Sequence, residues 1–355
     1  MKTKKSITII ITSIAIIFSL LYIVLAATPL AKEYNYISEW KLDLTDPVLE
    51  QIPDEAQMIP FKLGQTMGYF TEEGKIALLR TYPQKSSISE TYFTTYNTDA
   101  SQTDFFSAYG NKVGTIMDAG FPYFENNRIY LMLPGGTSFS RCNQDGSIKW
   151  TNESVIPITA FSSNESYTIA GYADGDIRIV NNTDGSNVLT FNPGGSDYSV
   201  ILGVDICKDG KYIASISGHD PQRFIITQRD KDQSKIIFHE NLSGELNHRT
   251  LVKFNKDCTK VFYNYAGGFG IYDFKLKKSI KLPLTDRILD FQETENLLFL
   301  LGKTNNNYTI YILEKTNSLQ GKFSFTADSA FIKTFGEVLY VGKDTTISKM
   351  TIRKK

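Results

Sequence analysis

Gly171-Tyr-Ala-Asp-Gly-Asp-Ile-Arg-Ile-Val-Asn-Asn-Thr-Asp-Gly-Ser186 decides the fold. It reads as two short strands and two tight turns in sixteen residues. Asp-Gly pairs accept the positive φ that hairpin turns need. The aliphatic residues between them alternate with polar ones, as a half-buried strand requires.

The same plan returns along the chain as an apolar strand, a polar turn and a second strand rich in aliphatic and aromatic residues. The second strands are Lys75–Leu79, Arg128–Met132, Tyr167–Gly171, Tyr212–Ile216, Val261–Tyr265, Leu297–Leu301 and Val338–Gly342. They begin 36 to 53 residues apart, which brackets the period of four-stranded propeller blades. A second set of turns supports the frame. Thr98–Ser101, Gln144–Ser147, Thr183–Ser186 and Lys315–Ser318 each stand where a third strand would end. No helical period of useful length follows the N-terminal segment.

The last segment stops at Lys355, after Ile347–Ile352, with too little chain for a fourth strand. Tyr36–Leu44 alternates like a strand and has no neighbours of its own. It is expected to close the last blade as its outer strand, since a closed ring hides sheet edges. The expectation is an all-β propeller of seven four-stranded blades, with six or eight compatible with the spacing.

The 355 residues carry 38 Lys+Arg against 38 Asp+Glu. Zero formal charge gives no electrostatic case for nucleic acid. The N-terminus carries Lys2, Lys4 and Lys5, then an uncharged run from Ser6 to Ala27. That run matches the roughly 30 Å hydrocarbon core in length and exceeds the usual apolar core of a signal peptide. An uncleaved anchor is therefore expected, with small-residue sites at Val24–Ala26 and Leu25–Ala27 as the cleavable alternative. The expected organisation is a cytoplasmic tail at 1–5, a transmembrane signal anchor at 6–27, a linker with the closing strand at 28–59 and a propeller at 60–355. On that reading the protein is single-pass in the inner membrane with its C-terminal domain in the periplasm or outside. Cys142, Cys207 and Cys258 fall in separate repeats without CxxC spacing. They are read as buried strand residues, with one disulfide as the alternative.

The pattern over roughly residues 60–352 resembles the WD40-like and PQQ-like bacterial propellers. Asp145-Gly-Ser-Ile-Lys-Trp150 looks like the end of a PQQ-type repeat, whose Trp packs between blades. Cys142 stands where that repeat usually has Asp, and Leu189 replaces Trp in the next copy. The Trp-Asp pair of WD40 repeats is absent.

Catalytic signatures are missing: no GxSxG, HExxH, GxxxxGK[ST] or GxGxxG after a strand is present. Gly267–Gly270 leads into a strand and reads as a turn. His219, His239 and His248 have spacings that fit no standard metal pattern. No catalytic, cofactor or metal residue is assigned, and no cofactor is expected. The most distinctive loop is Gly218-His-Asp-Pro-Gln-Arg223. His219, Asp220 and Arg223 are the candidate partner-binding residues, the alternative being an Asp220–Arg223 pair that merely orders the loop. Tyr109 and Phe121–Phe124 are the next candidates, or inter-blade packing residues.

The expected function is a non-enzymatic scaffold or assembly factor for other cell-envelope proteins. The alternative is a propeller enzyme or cofactor binder of the quinone-dependent dehydrogenase or glycosidase type, which would need a cofactor site or paired carboxylates on the axis.

Overall fold

The computed structural model describes residues 12–22, 34–53, 56–82, 84–97, 101–315 and 318–354. Residues Tyr36–Ile352 form one unit. Among the described residues, eight antiparallel sheets follow one another in chain order. Blade 1 has strands Met58–Leu63, Thr66–Thr71 and Ile76–Thr81; blade 2 has Lys85–Ile88, Tyr92–Tyr96, Thr103–Ser107 and Lys112–Ile116. Blade 3 has Phe121–Glu125, Arg128–Met132, Phe139–Cys142 and Ile148–Asn152; blade 4 has Ile158–Ser163, Tyr167–Tyr172, Ile177–Asn181 and Asn187–Phe191. Blade 5 has Tyr198–Ile206, Tyr212–His219, Arg223–Asp230 and Gln233–Asn241; blade 6 has Val252–Phe254, Lys260–Tyr265, Gly268–Asp273 and Lys278–Pro283. Blade 7 has Arg287–Glu293, Leu297–Thr304, Asn307–Glu314 and Leu319–Thr326. Blade 8 has Ala330–Phe335, Val338–Lys343 and Thr346–Lys354, with Tyr34–Asp43 on its outside.

The expected closure by the N-terminal strand is what the structure shows. Leu44 N–H donates to the Thr345 carbonyl at 2.8 Å, and Lys349 pairs with Glu39 at 3.0 Å. The count of seven is corrected to eight. Blade 2 lies inside the 53-residue interval that separates Lys75 from Arg128. Its second strand, Tyr-Phe-Thr-Thr-Tyr, has no aliphatic residue to mark it. Ile76–Thr81 is the third strand of blade 1, not a second strand. Thr98–Ser101 falls between second and third strands, and its residues 98–100 lie outside the described ones. Residues 316–317 of the Lys315–Ser318 turn do too.

The single-pass anchor over 6–27, and the inner-membrane localisation drawn from it, are also corrected. Among the described residues no helix is long and apolar enough to cross a membrane. The one helix described spans residues 12–22, about 16 Å of rise against a hydrocarbon core of roughly 30 Å. Residues 1–11 and 23–33, with the 1–5 tail and the small-residue sites, lie outside the described ones.

Neighbouring blades meet through their first strands, which line the axis. Buried aromatic and aliphatic side chains fill the wedges between blades. Trp150 of blade 3 packs with Phe161, Tyr172 and Val180 of blade 4, the between-blade place that the resemblance implies. Cys207 and Cys258 form a disulfide, 5.8 Å between Cα atoms. Each sits in the turn after a first strand, so the bond ties blade 5 to blade 6. Cys142 is a free, buried thiol.

Candidate binding face and central bore

Three connections of one end of the propeller converge beside blade 5. They are the turn 220–222, the link 192–197 from blade 4 and the link 242–251 to blade 6. His219 Nδ1 lies 2.9 Å from Glu245 Oε2, and Asp220 N–H donates to Glu245 Oε1 at 2.7 Å. The Asp220 bond, then His219, holds the Glu245 carboxyl below the usual carboxylate range. Gln222 is fully buried. Its amide donates to the Leu246 carbonyl and accepts from the Leu246 N–H. Ser196 donates to the Pro221 carbonyl at 2.7 Å. Arg223, 7% exposed, turns inward and donates to the Gly194 carbonyl at 2.5 Å.

The structure therefore splits the three candidate residues. His219 and Asp220 share Glu245 at the surface, while Arg223 anchors a neighbouring loop from below. Among the described residues no ion pair joins Asp220 to Arg223. Glu245 lies 26 residues from His219 and sequence reading passed it over, because nothing local links the two. His239 lies in the fourth strand of blade 5 and His248 in the 242–251 link. Among the described residues, no group of three His, Cys, Asp or Glu converges as metal ligands.

The 242–251 link runs from this knot to the axis. Arg249 donates to the Phe161 carbonyl at 3.0 Å. A pocket of about 240 Å³ opens there between Tyr123, Met132, Ile158, Phe161 and Arg249. It shares Tyr123, Phe161 and Arg249 with a bore cavity of about 390 Å³. Val155, on the link from blade 3 to blade 4, and Tyr198, the first residue of blade 5, are 88% and 66% exposed at the same end. Apolar side chains thus face solvent beside a pre-ordered loop knot and a pocket.

The bore is lined mainly by first strands and holds Glu125 and Asp290 with Lys253, while Asp205 is buried in the first strand of blade 5. Asp205 accepts from Ser162 Oγ at 2.6 Å and from Phe254 N–H at 2.7 Å, joining blades 4, 5 and 6. Glu125 accepts from Ser163 Oγ at 2.8 Å. The same Ser163 accepts from the buried Arg128 Nε at 2.9 Å. Asp290 accepts from Phe291 N–H and Gln292. Burial pushes all three carboxyls up, opposed by these hydrogen bonds and by the Lys253 charge. Burial also pushes the Tyr123 hydroxyl up, to about 12. Phe121–Phe124 divides its work: Phe124 packs on Tyr92 and Phe105 of blade 2, and Tyr123 lines the bore. Sequence reading missed the bore set, although one signal was present. Glu125, Asp205 and Lys253 are each the lone charge of their first strand, whereas Asp290 shares its strand with Arg287 and Glu293.

A family model described as beta-propeller protein matches residues 1–355. The chain belongs to that beta-propeller family. A protein of Treponema pallidum (strain Nichols), described as uncharacterized, is 27% identical over 351 residues, covering 96% of this chain and 93% of its own. BamB from Moraxella catarrhalis superposes with a TM-score of 0.62 at 10% identity, covering 89% of this propeller chain and all of that one. Sqt1 of Saccharomyces cerevisiae gives 0.62 at 11% identity, over 85% and 94% of the two chains. At such identities the two solved propellers are likenesses of fold alone.

Proposed function

We propose that this propeller is a protein-binding scaffold or assembly factor of the bacterial cell envelope and not an enzyme. The observation that carries the reading is the loop face beside blades 3 to 6. There a knot fixed by Gln222, Arg223 and Glu245 stands at the end that also carries exposed Val155 and Tyr198, and its 242–251 link lines an apolar pocket through Arg249. A surface ordered before binding loses little entropy on docking, and an exposed aromatic such as Tyr198 suits an interface anchor. The Cys207–Cys258 bond fits an oxidising compartment outside the cytosol.

The test is in-cell crosslinking of a tagged full-length chain, with mass spectrometry of what co-purifies. One dominant envelope complex is the expected result, and recovery of no specific protein contradicts it. A second reading, a quinone-dependent or glycosidase-type enzyme, draws on the bore carboxylates Glu125 and Asp290. Dye-linked turnover after adding quinone and Ca²⁺, or hydrolysis of aryl glycosides, would favour it.

A further inference from the structure

Blade 1 differs from the other seven. Its third strand, Ile76–Thr81, is its outermost. The chain enters the fourth-strand place only at Val48, which bridges Ile76 in parallel. Leu49 N–H donates to the Ile76 carbonyl at 2.8 Å, and the segment then leaves the sheet between Pro47 and Pro53. Among the described residues, no strand pairs with the outer edge of Leu78–Thr81.

The hydrogen-bond register fixes which groups face outward. Tyr82 N–H donates to the Gln65 carbonyl at 3.0 Å. Thr81 stands opposite Thr66, and Leu79 opposite Gly68. By antiparallel alternation, Arg80 and Leu78 bond to the second strand, while Leu79 and Thr81 turn their N–H and C=O groups outward. The edge is recessed. A groove of about 850 Å³ lies over it, walled by Val48, Glu50 and Ile52 on one side and Tyr109 of blade 2 on the other. Arg80 is exposed in this groove, and its guanidinium donates to the Leu79 carbonyl at 3.3 Å. No ion pair engages it among the described residues.

We propose that this edge takes an extended peptide segment of a partner protein as the fourth strand of blade 1. Outward backbone groups at alternate residues recognise extended backbone and little else. The cation beside them selects an acidic side chain on the incoming strand. The inference rests on the protein-binding reading above and names its partner chemistry: an extended segment alternating apolar and acidic residues. Tyr109 becomes a wall of this site, a place that its position in a blade 2 turn did not reveal.

The probe is a fluorescein-labelled ten-residue peptide of alternating valine and glutamate, titrated by anisotropy into the full chain. A valine–lysine peptide serves as comparison. The valine–glutamate peptide should bind, and the amide exchange of Leu79 and Thr81 should slow when it does. Arg80→Glu should weaken it by about tenfold or more and favour the lysine peptide instead. Leu79→Pro should remove binding, with an unchanged circular dichroism spectrum showing the fold intact. Absence of binding at about 1 mM peptide overturns the proposal. So does binding that Arg80→Glu leaves unchanged or that protects neither amide. In-cell crosslinking separates the two ideas: a captured partner with no peptide binding sinks the edge alone, and no captured partner sinks the scaffold reading.

Discussion

Trp40 and Trp150 each lie across a glycine of the following blade. Trp40 Nε1 donates to the Glu72 carbonyl at 3.1 Å, and Trp150 Nε1 donates to the Asn182 carbonyl at 3.1 Å. A Cβ on Gly74 or Gly185 would come within 2.7 Å of the indole, and both glycines have positive φ. Each indole therefore needs a residue without a side chain beneath it. Trp150→Ala should cost about 3–5 kcal/mol in urea unfolding, and Gly185→Ala about 1–3 kcal/mol. In the bore, burial pushes the Glu125 carboxyl above its ordinary 4.5. The folded chain then holds that proton more tightly than the unfolded chain does. The stability Glu125 lends is complete below the unfolded value and is lost as pH rises through the folded one. Glu125→Gln still accepts from Ser163, so its melting temperature should gain on wild type as pH rises through the range above 4.5. A constant difference across that range would contradict the burial argument.

At the scale of the element, the disulfide and the closing strand bear on separate blades. Cys207 and Cys258 are 51 residues apart, and breaking such a link costs on the order of 2–4 kcal/mol. Dithiothreitol should lower the melting temperature of wild type and leave the Cys207→Ser, Cys258→Ser double variant unmoved. Deleting residues 34–43 uncovers the Thr346–Lys354 edge and removes Trp40 from Gly74. Aggregation on size exclusion is the expected outcome. The closing strand was legible because Tyr36–Leu44 alternates without a neighbour while the last segment lacks a fourth strand. Blade 2 was not, because Tyr92–Tyr96 carries threonines where most other second strands carry aliphatics. In the N-terminal run, the helix among the described residues covers 12–22, short of the hydrocarbon core.

For the molecule as a whole, repeat spacing gave the ring, because blades recur along the chain. The sites were less legible, because they assemble across it. Asp205 meets Ser162 and Phe254 from two other blades, and Glu245 meets a turn of blade 5. The loop Gly218–Arg223 stood out in sequence, yet its arginine turned out to serve the scaffold beneath the surface. On the proposed scaffold reading, a protein docks on the loop face of blades 3 to 6. The most direct test of that docking is a photo-crosslinking amino acid placed in the full chain at Val155, Tyr198 or Leu276. Leu276 is also exposed, at 53%, and sits in a turn between third and fourth strands at the other end of the blades. The same partner captured from positions 155 and 198, and not from 276, is the predicted result. Equal capture from all three positions, or capture from 276 alone, would contradict it.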